Sequence, residues 1–479
     1  MIFAALSKLL LLVASGQVSP ANLQPTAPPA NPAGAPQVVE LSVTRAAVPV
    51  PALRYRFAPD LAELTPGNAA PLYLMAGELL PRDQNQRDRV TNLLDAPMDQ
   101  FPRDEARQAL QPYHSVLMEV ELAAWREDCR WETPLRTEGV RTLLPYLNPY
   151  RECANALAAR ARLEISEGHF DDAVRTIRTG FTMVNHLRSD GVLVQGLVAA
   201  GIGELFLDRV RELEKAPGAP NLYWALAGLP HPLVDVRQSL RMERALIGFE
   251  FPQLRGRRPE ELSAEELTAL FPQMQRSLEM YTRLGPSGGD GSAQSFKPEF
   301  LATMISGYGA ARHYLAAAGK SQEEIDRMPV QAALAIYLLE SYERWSDEMF
   351  KWAGLPYWQA REGFDRAQLE LSAARQREAN PLMTLVPALG RAAFQFAKAD
   401  RDAALSQCAE AIRAYAGAHD GRLPASLSDL ADTPAPPDPM TGKSFGYEVQ
   451  GGTAKIRAMP FHGAPANMPV DITYQVTVK

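Results

Sequence analysis

A connector between two expected helices carries three side chains that could recognise a polar ligand. Trp131 and Glu132 are adjacent, and Arg136 follows in the run Trp-Glu-Thr-Pro-Leu-Arg. An aromatic ring beside a carboxylate and a guanidinium can bind a polar molecule through stacking, charge and hydrogen bonds. The same side chains can instead fix the connector through an ion pair and ring packing. We favour this structural interpretation, because such clusters are often architectural, and keep the three as candidate binding residues.

Two short motifs match known catalytic or phosphate-binding patterns only in part. Residues 285 to 289, GPSGG, have the G-x-S-x-G spacing of a nucleophile elbow. That motif needs a strand before the serine and a helix after it, whereas here a helical pattern precedes the motif. Residues 442 to 444, GKS, match the end of a phosphate-binding loop, but Pro437 stands where the motif requires its first glycine. We therefore assign no catalytic residue.

The histidines and paired carboxylates predict neither a metal site nor a glycosidase pair. No two of the seven histidines are spaced i, i+4, and the sequence has no HExxH motif. Glu119 and Glu121 are two residues apart, so they would point to different sides of a helix. We expect no metal and no cofactor, and we favour a protein without enzymatic activity.

Three cysteines leave one disulfide open as an alternative. Cys129 and Cys153 stand at the end of one expected helix and the start of another, and an antiparallel hairpin could bring them together. A disulfide between them would add about 3 kcal/mol of stability. The other interpretation, two buried thiols, is slightly favoured.

Aromatic residues cluster in one later stretch of the chain. Trp345, Trp352, Tyr357 and Trp358 lie within fourteen positions of one another. Aromatic side chains at helical spacing are usually part of a core. If several of them are exposed instead, they would indicate a groove for a carbohydrate or a peptide.

The overall composition is that of an ordinary globular protein. The chain has 479 residues, 46% of them hydrophobic and 22% charged, with a formal net charge of -7. A nucleic-acid-binding protein usually shows a basic face, so we expect no nucleic-acid partner.

The N-terminus has the pattern of a secretory signal. An apolar run from Leu9 to Ala14 precedes Ser15 and Gly16, and small residues stand where signal peptidase cleaves. The alternative is an ordinary N-terminal helix. The run is shorter than the roughly 20 apolar residues that span a bilayer, and no other transmembrane segment is expected. We predict a signal peptide over residues 1–16 and export to the periplasm or cell envelope.

Composition and periodicity divide the rest of the chain. Six prolines mark residues 17–36 as a linker, and VVELSV and ALRYRF predict two strands in a short β segment over residues 37–67. A helical body then covers residues 68–284 and 296–420. A Gly/Ser-rich flexible loop at 285–295 separates its halves. The last part of the chain, residues 421–479, forms a small α+β module.

One helical hairpin stands out from the rest. The patterns over residues 151–167 and 170–187 flank Gly168, and Gly168, Phe170 and Ala173 match the spacing of a tetratricopeptide repeat. No second copy follows at the 34-residue period of that repeat. The predicted fold class is therefore mainly α, an irregular array of helical hairpins rather than a regular repeat.

The segment from residue 129 to residue 244 resembles an uncharacterised family of exported planctomycete-type helical proteins. It begins CRWETPLRTEGVRTLLPYL, continues ALAARARLEISEGHFDDAVRTIRTGF and includes APGAPNLYWALAGLP. The resemblance implies export and a helical body, but it implies no activity.

The C-terminal part, about 70 residues, resembles the soluble part of the major pseudopilin of type II secretion systems. The matching pieces are a helix over 411–420, Leu423-Pro424, a short helix over 426–430, Asp438-Pro439 and the strands that follow. A pilin also needs an apolar membrane helix, and residues 383–405 contain five charged side chains: Arg391, Lys398, Asp400, Arg401 and Asp402. The resemblance therefore implies a local shape and not a filament.

Together these patterns predict an exported binding or scaffold protein of the cell envelope. Its helical surface would contact a protein or peptide partner. One alternative is an extracytoplasmic hydrolase or carbohydrate-active protein, and another is a pilus-like assembly component. A deep pocket with converging carboxylates of shifted pKa would favour the hydrolase, and a groove of aromatic and small residues would favour binding.

Overall fold

The chain folds as a mainly α-helical protein with a small β-sheet, as predicted. The computed structural model describes residues 37–139, 142–188, 191–284, 297–378, 380–387, 389–458 and 471–479. The predicted signal, the proline-rich linker and the loop with its GPSGG motif lie outside the described residues.

The first eight described helices lie in the first half of the helical body. They are α1 (Ala70–Glu78), α2 (Gln84–Asp95), α3 (Arg103–Leu110), α4 (His114–Ala124), α5 (Leu135–Glu138), α6 (Leu147–Glu167), α7 (Phe170–Arg188) and α8 (Leu193–Lys215). Helices α1, α2 and α3 all pack against α6, which lies at the centre of this half.

The predicted hairpin is confirmed as helices α6 and α7. Gly168 ends α6 with a φ of 79°, a left-handed conformation that glycine adopts without strain. The amide of His169 donates to the carbonyl of Glu164 over 2.9 Å and closes the turn. Helix α8 then packs against α7 so closely that a Cβ atom on Gly180 would lie 2.3 Å from the ring of Phe206.

A second group of helices begins in the first half of the helical body, continues through the second half and ends in the longest of the described helices. Its members are α9 (Tyr223–Ala227), α10 (Val236–Glu250), α11 (Ala264–Leu284), α12 (Lys297–Ala317), α13 (Gln322–Arg327), α14 (Val330–Phe350), α15 (Tyr357–Arg377) and α16 (Leu389–Ala418). Helices α11 and α12 pack on α14, while α16 packs on both α15 and α8.

Helix α16 joins the two main hydrophobic cores. Its N-terminal half, with Leu389 and Phe396, belongs to the core of the helical body. Its C-terminal half presents an apolar stripe to the sheet, where Leu405, Cys408 and Ile412 are fully buried. No helix in the described part of the chain is both long enough and apolar enough to cross a membrane.

The sheet combines both ends of the described chain. Strands β4 (Gly446–Gln450), β5 (Thr453–Ala458) and β6 (Ile472–Val478) are antiparallel neighbours, and β1 (Gln37–Val43) pairs with β6 in parallel. The strand order is therefore β1-β6-β5-β4. The N-terminal strand thus completes the C-terminal module instead of forming a β segment of its own.

The prediction of a second strand at ALRYRF is wrong. Residues 52–57 form turns and bends. The side chains of Arg54 and Tyr55 both bind the carboxylate of Asp171, over 3.1 and 2.8 Å. Adjacent side chains of a strand point to opposite faces, so this shared partner is incompatible with a strand. The other described strands are β2 (Thr65–Asn68) and β3 (Arg126–Asp128), which pair in parallel.

The C-terminal module has the order of elements that its sequence predicts. After α16 come Leu423-Pro424, a single 3-10 turn at Leu427–Asp429, Asp438-Pro439 and the antiparallel strands. The parallel strand β1 is an addition to that layout.

A buried ion pair attaches the loop of this module to α16. The Nε and Nη2 atoms of Arg401 donate to the two carboxylate oxygens of Asp438 over 2.9 and 2.8 Å. Both side chains are about 1% exposed. Asp438 also accepts a hydrogen bond from the amide of Met440 over 2.8 Å, so the same carboxylate shapes the loop that follows it.

We predict that Asp438→Asn lowers the free energy of unfolding by at least about 3 kcal/mol, because it leaves the buried Arg401 guanidinium without its carboxylate. The matched control is Asp104→Asn, since Asp104 pairs with Arg107 but its side chain is 91% exposed. That control should cost less than about 1 kcal/mol. Denaturant unfolding followed by circular dichroism measures both, and equal small losses would contradict the prediction.

Candidate functional site

A largely apolar cleft of about 320 Å³ opens where three helices meet the C-terminal module. Its walls come from the segment that leads into α10, from the turn between α14 and α15, and from the N-terminal half of α16. Pro439 of the C-terminal loop closes one side. The lining residues are His231, Pro232, Val234, Asp235, Arg237, Ala353, Gly354, Leu355, Pro356, Tyr357, Trp358, Phe364, Ala393, Phe396, Ala397, Asp400 and Pro439.

The turn between α14 and α15 places the aromatic wall. A 3-10 turn at Lys351–Gly354 follows α14, and Pro356 precedes the first residue of α15. The carbonyl of Pro356 accepts hydrogen bonds from the amides of Gln359 and Ala360, over 2.9 and 3.1 Å. Helix α15 therefore starts at once after the proline, and its first turn carries both Tyr357 and Trp358.

Trp358 rests on a glycine of the C-terminal module. Gly442 has a φ of +67°, and a Cβ atom there would lie 2.8 Å from the indole ring. The glycine is therefore required both for its backbone conformation and for the close approach of the ring. The remaining surface of Trp358, 42% of the side chain, stays exposed.

Two lining residues, Tyr357 and Ala397, belong to a small hydrophobic cluster. Tyr357 packs edge-on against Phe394, with ring centroids 6.3 Å apart, beside Ala397 and the buried Met440. Burial raises the pKa of the Tyr357 hydroxyl far above its usual value, so this group stays neutral.

Asp400 is the polar group at the base of this apolar surface. Its Oδ1 atom accepts a hydrogen bond from the amide of Leu233 over 2.6 Å. Burial raises the pKa of the Asp400 carboxyl to about 7; the hydrogen bond from Leu233 acts against this shift, and the nearby carboxylate of Asp235 adds to it. The side chain is half-buried and lines the cleft. At neutral pH it therefore exchanges between a neutral and a charged form.

Asp235 lies in the same cleft but is fully committed to other partners. It caps the start of α10, where Oδ1 accepts the amide of Arg237 over 2.9 Å. The Arg237 guanidinium donates to both carboxylate oxygens over 2.9 Å. Burial acts to raise the pKa of Asp235, but these hydrogen bonds and the charge of Arg237 outweigh it and lower the pKa.

The structure places the three predicted binding residues in different surroundings. Trp131 is buried, stacks on Tyr146 at a centroid distance of 4.2 Å and donates from Nε1 to the carbonyl of His186 over 3.3 Å. Glu132 is exposed. Arg136 is exposed too, and its guanidinium lies 5.3 Å from the centre of the Phe249 ring. The ring thus packs in the core, while both charged side chains face solvent.

Cys129 and Cys153 are both buried and are not joined by a disulfide in this structure. Both lie close enough to Tyr73 and Tyr150 to affect their pKa values, so the connector does bring the two cysteines to one region. Burial raises the pKa of Cys153 to about 12, which keeps it a thiol at neutral pH. In the described part of the chain, no three His, Cys, Asp or Glu side chains form a group that could hold a metal ion.

The sequence indicated the aromatic residues of the cleft wall as a possible binding surface, but it did not indicate the carboxyl group of Asp400. Of the aromatic set, Trp358 is exposed, and Trp345, Trp352 and Tyr357 are half-buried. Asp400 drew attention in the sequence only as a charge in α16 that argues against a membrane helix. Nothing in its local pattern indicates the contact with Leu233, which comes from a distant part of the chain.

Comparison of the chain with protein-family models, with curated proteins and with solved structures finds no match.

We predict that Gly442→Ala destabilises the protein by about 1 kcal/mol or more beyond the matched control Gly451→Ala. Both glycines have positive φ, but a Cβ atom on Gly451 would meet nothing within 4 Å. The two variants therefore share the backbone strain, and only Gly442→Ala collides with Trp358. Thermal unfolding of both variants, repeated in a Trp358→Ala background, measures the difference. If the difference persists without the indole ring, the ring contact is not its cause.

Proposed function

We propose that this protein is an exported binding protein of the cell envelope that takes an apolar group of a protein or peptide partner into the cleft. One observation carries the proposal: a partly open cleft of about 320 Å³ whose walls are aromatic, proline and small side chains, with one carboxyl group, Asp400, that accepts a backbone hydrogen bond but forms no ion pair within the described residues. Concave apolar sites with a few placed polar groups are the usual form of ligand sites.

The rim of the cleft keeps apolar surface in water. Leu355 is 45% exposed and Trp358 is 42% exposed, and the two face the same opening. Covering such surface is favourable by roughly 25 cal/mol per Å². A partner that buries both side chains would therefore bind more tightly, because a few buried anchoring residues supply most of the affinity of an interface.

The walls are rigid enough to recognise a shape. Trp352, next to the cleft, packs so closely on α15 that a Cβ atom on Gly363 would lie 2.2 Å from its ring. The Arg401–Asp438 pair fixes the loop that carries Pro439. A preformed cleft loses little conformational entropy when it binds, which supports binding as its use.

The hydrogen bonds of the two carboxyl groups in the cleft, Asp235 and Asp400, favour binding over hydrolysis. Hydrolysis of a glycosidic bond by two carboxyl groups needs one acid and one carboxylate free to act as base or nucleophile. Both oxygens of Asp235 are held by Arg237, so only Asp400 remains free. A sugar would also require more polar partners than this lining offers.

The arrangement of α16 supports binding over a pilus-like role as well. A pilus-like component would use the segment before the C-terminal module as a membrane helix. In this fold that segment forms α16, where Lys398 binds Glu204 of α8 over 3.0 Å and Arg401 binds Asp438. The export included in the proposal comes from the sequence of residues 1–16 and from the family resemblance, and it stays a prediction.

The test is a selection of random displayed peptides on the purified protein, followed by fluorescence anisotropy with the enriched peptides. We predict that Leu355→Ala weakens binding by about tenfold, which corresponds to about 1.4 kcal/mol. The matched control is Leu369→Ala, because Leu369 lies on α15 with 72% exposure and does not line the cleft. That variant should bind as tightly as the unmodified protein.

Two results would overturn the proposal. The first is that no peptide is enriched over a bare surface. The second is that the enriched peptides bind equally well to Leu355→Ala and to Leu369→Ala, which would place their site elsewhere on the molecule.

A further inference from the structure

We infer that the group taken into the cleft is an amphipathic cation: an apolar stem that ends in an ammonium or guanidinium group and pairs with Asp400. This inference depends on the proposed function, since it names the chemistry of the ligand for the same cleft. Both a basic side chain of a partner peptide and a free organic amine have this chemistry.

The charges of the lining leave one position for a cation. Asp235 and Arg237 neutralise each other through two parallel hydrogen bonds of 2.9 Å. Asp400 receives only a backbone hydrogen bond, from the amide of Leu233, and forms no ion pair with a lysine or arginine of the described residues. An ionised carboxylate in apolar surroundings is costly without a partner of opposite charge. A ligand cation would supply that partner.

The walls around Asp400 fit the apolar stem of such a ligand. Phe396 and Ala397 on α16 line the cleft near Asp400, and Tyr357 and Trp358 line the side formed by α15. Long basic side chains bury their methylene groups along apolar surfaces while the charged end finds a polar partner. Aromatic ring faces also attract cations, so the stem and the charged end both find suitable contacts.

The charges of the lining would disfavour an anionic ligand. The single cation of the lining, Arg237, is already held by Asp235, and an anion would also lie near the carboxyl group of Asp400. A neutral apolar ligand could fill the cleft, but it would bury Asp400 further without a charged partner. Among these three classes, the cation alone complements both the shape and the charge.

The surroundings of Asp400 also determine how binding should depend on pH. The charged group that acts on it is Asp235 at the start of α10, which in turn faces Arg237 and Arg188. His231 lines the cleft but is exposed, and on α15 the hydroxyl of Tyr357 stays neutral. Of the two lining carboxyl groups, Asp400 is therefore the one that burial brings to a change of charge near neutral pH.

The direction of the pH dependence follows from linkage. A cation binds the ionised carboxylate, and with a pKa of about 7 the free protein holds this group mostly protonated at pH 5.5 and mostly ionised at pH 8. Affinity for a cation should thus rise by about tenfold or more between these two values. A neutral ligand gains nothing from ionisation, so its affinity should not rise over the same range.

The experiment compares 4-phenylbutylamine with its neutral isostere 4-phenylbutan-1-ol by ligand-observed NMR at both pH values, using the full chain. We expect the amine to bind about tenfold more tightly than the alcohol at pH 8, and to lose this advantage at pH 5.5. Asp400→Asn should remove the difference at both pH values, because an asparagine can still accept the Leu233 hydrogen bond but carries no charge.

The matched control is Glu362→Gln, which removes one exposed negative charge from α15 outside the cleft. It should leave the preference for the amine unchanged. A further arm compares a capped lysine peptide with its norleucine analogue. Preference for lysine points to a peptide source of the cation, and binding of the free amine alone points to a small molecule.

The outcomes separate this inference from the proposed function. Equal binding of amine and alcohol, unchanged by Asp400→Asn but weakened by Leu355→Ala, would overturn the inference that the ligand is a cation. The proposal of an apolar binding site would remain valid. An amine preference that persists in Asp400→Asn would also overturn it. If neither compound binds and no peptide is enriched, the proposed function itself fails.

Discussion

The fold depends on a row of charged side chains that helix α16 carries into the interior. Buried charges are tolerated only when they are paired and hydrogen-bonded, so each of them fixes a second part of the chain. Lys398 binds Glu204 of α8, and Arg401 binds Asp438 of the C-terminal loop. Arg413 pairs with the buried Glu410 and donates to the carbonyl of Thr44, just after β1. One helix thus holds the helical body, the first strand and the C-terminal module together.

The cleft is a consequence of this arrangement. The loop that begins at Asp438 supplies Pro439 to the lining, Met440 to the hydrophobic cluster beside Tyr357, and Gly442 as the support of Trp358. Its position relative to α15 is set by the bond to Arg401, one residue after Asp400 on the same helix. Arg401 of the ion pair and the half-buried Asp400 therefore lie on neighbouring positions of α16, and Asp400 lines the cleft.

Local patterns predicted the helices better than the contacts between distant segments. The α6–α7 hairpin was predictable because a left-handed glycine between two periodic runs is a local signal. The pairing of β1 with β6 joins residues more than four hundred positions apart, for which the sequence has no local signal. The candidate site could not be predicted for the same reason, because it is built from contacts between distant segments. The aromatic set that includes Tyr357 and Trp358 could be named in advance, whereas the contact of Asp400 with Leu233 arises only from the packing of α16 beside the start of α10.

A raised pKa alone does not identify Asp400 as functional, as a comparison with Glu243 shows. Burial raises the pKa of both carboxyl groups to about 7, and each accepts one backbone amide, from Leu233 and from Leu193 respectively. Glu243 is only 2% exposed, and it holds the start of α8. Asp400 makes the same kind of structural bond but also lines an open apolar cleft. Access for a ligand, and not the shifted pKa, is therefore the property that distinguishes a candidate binding group from a structural one.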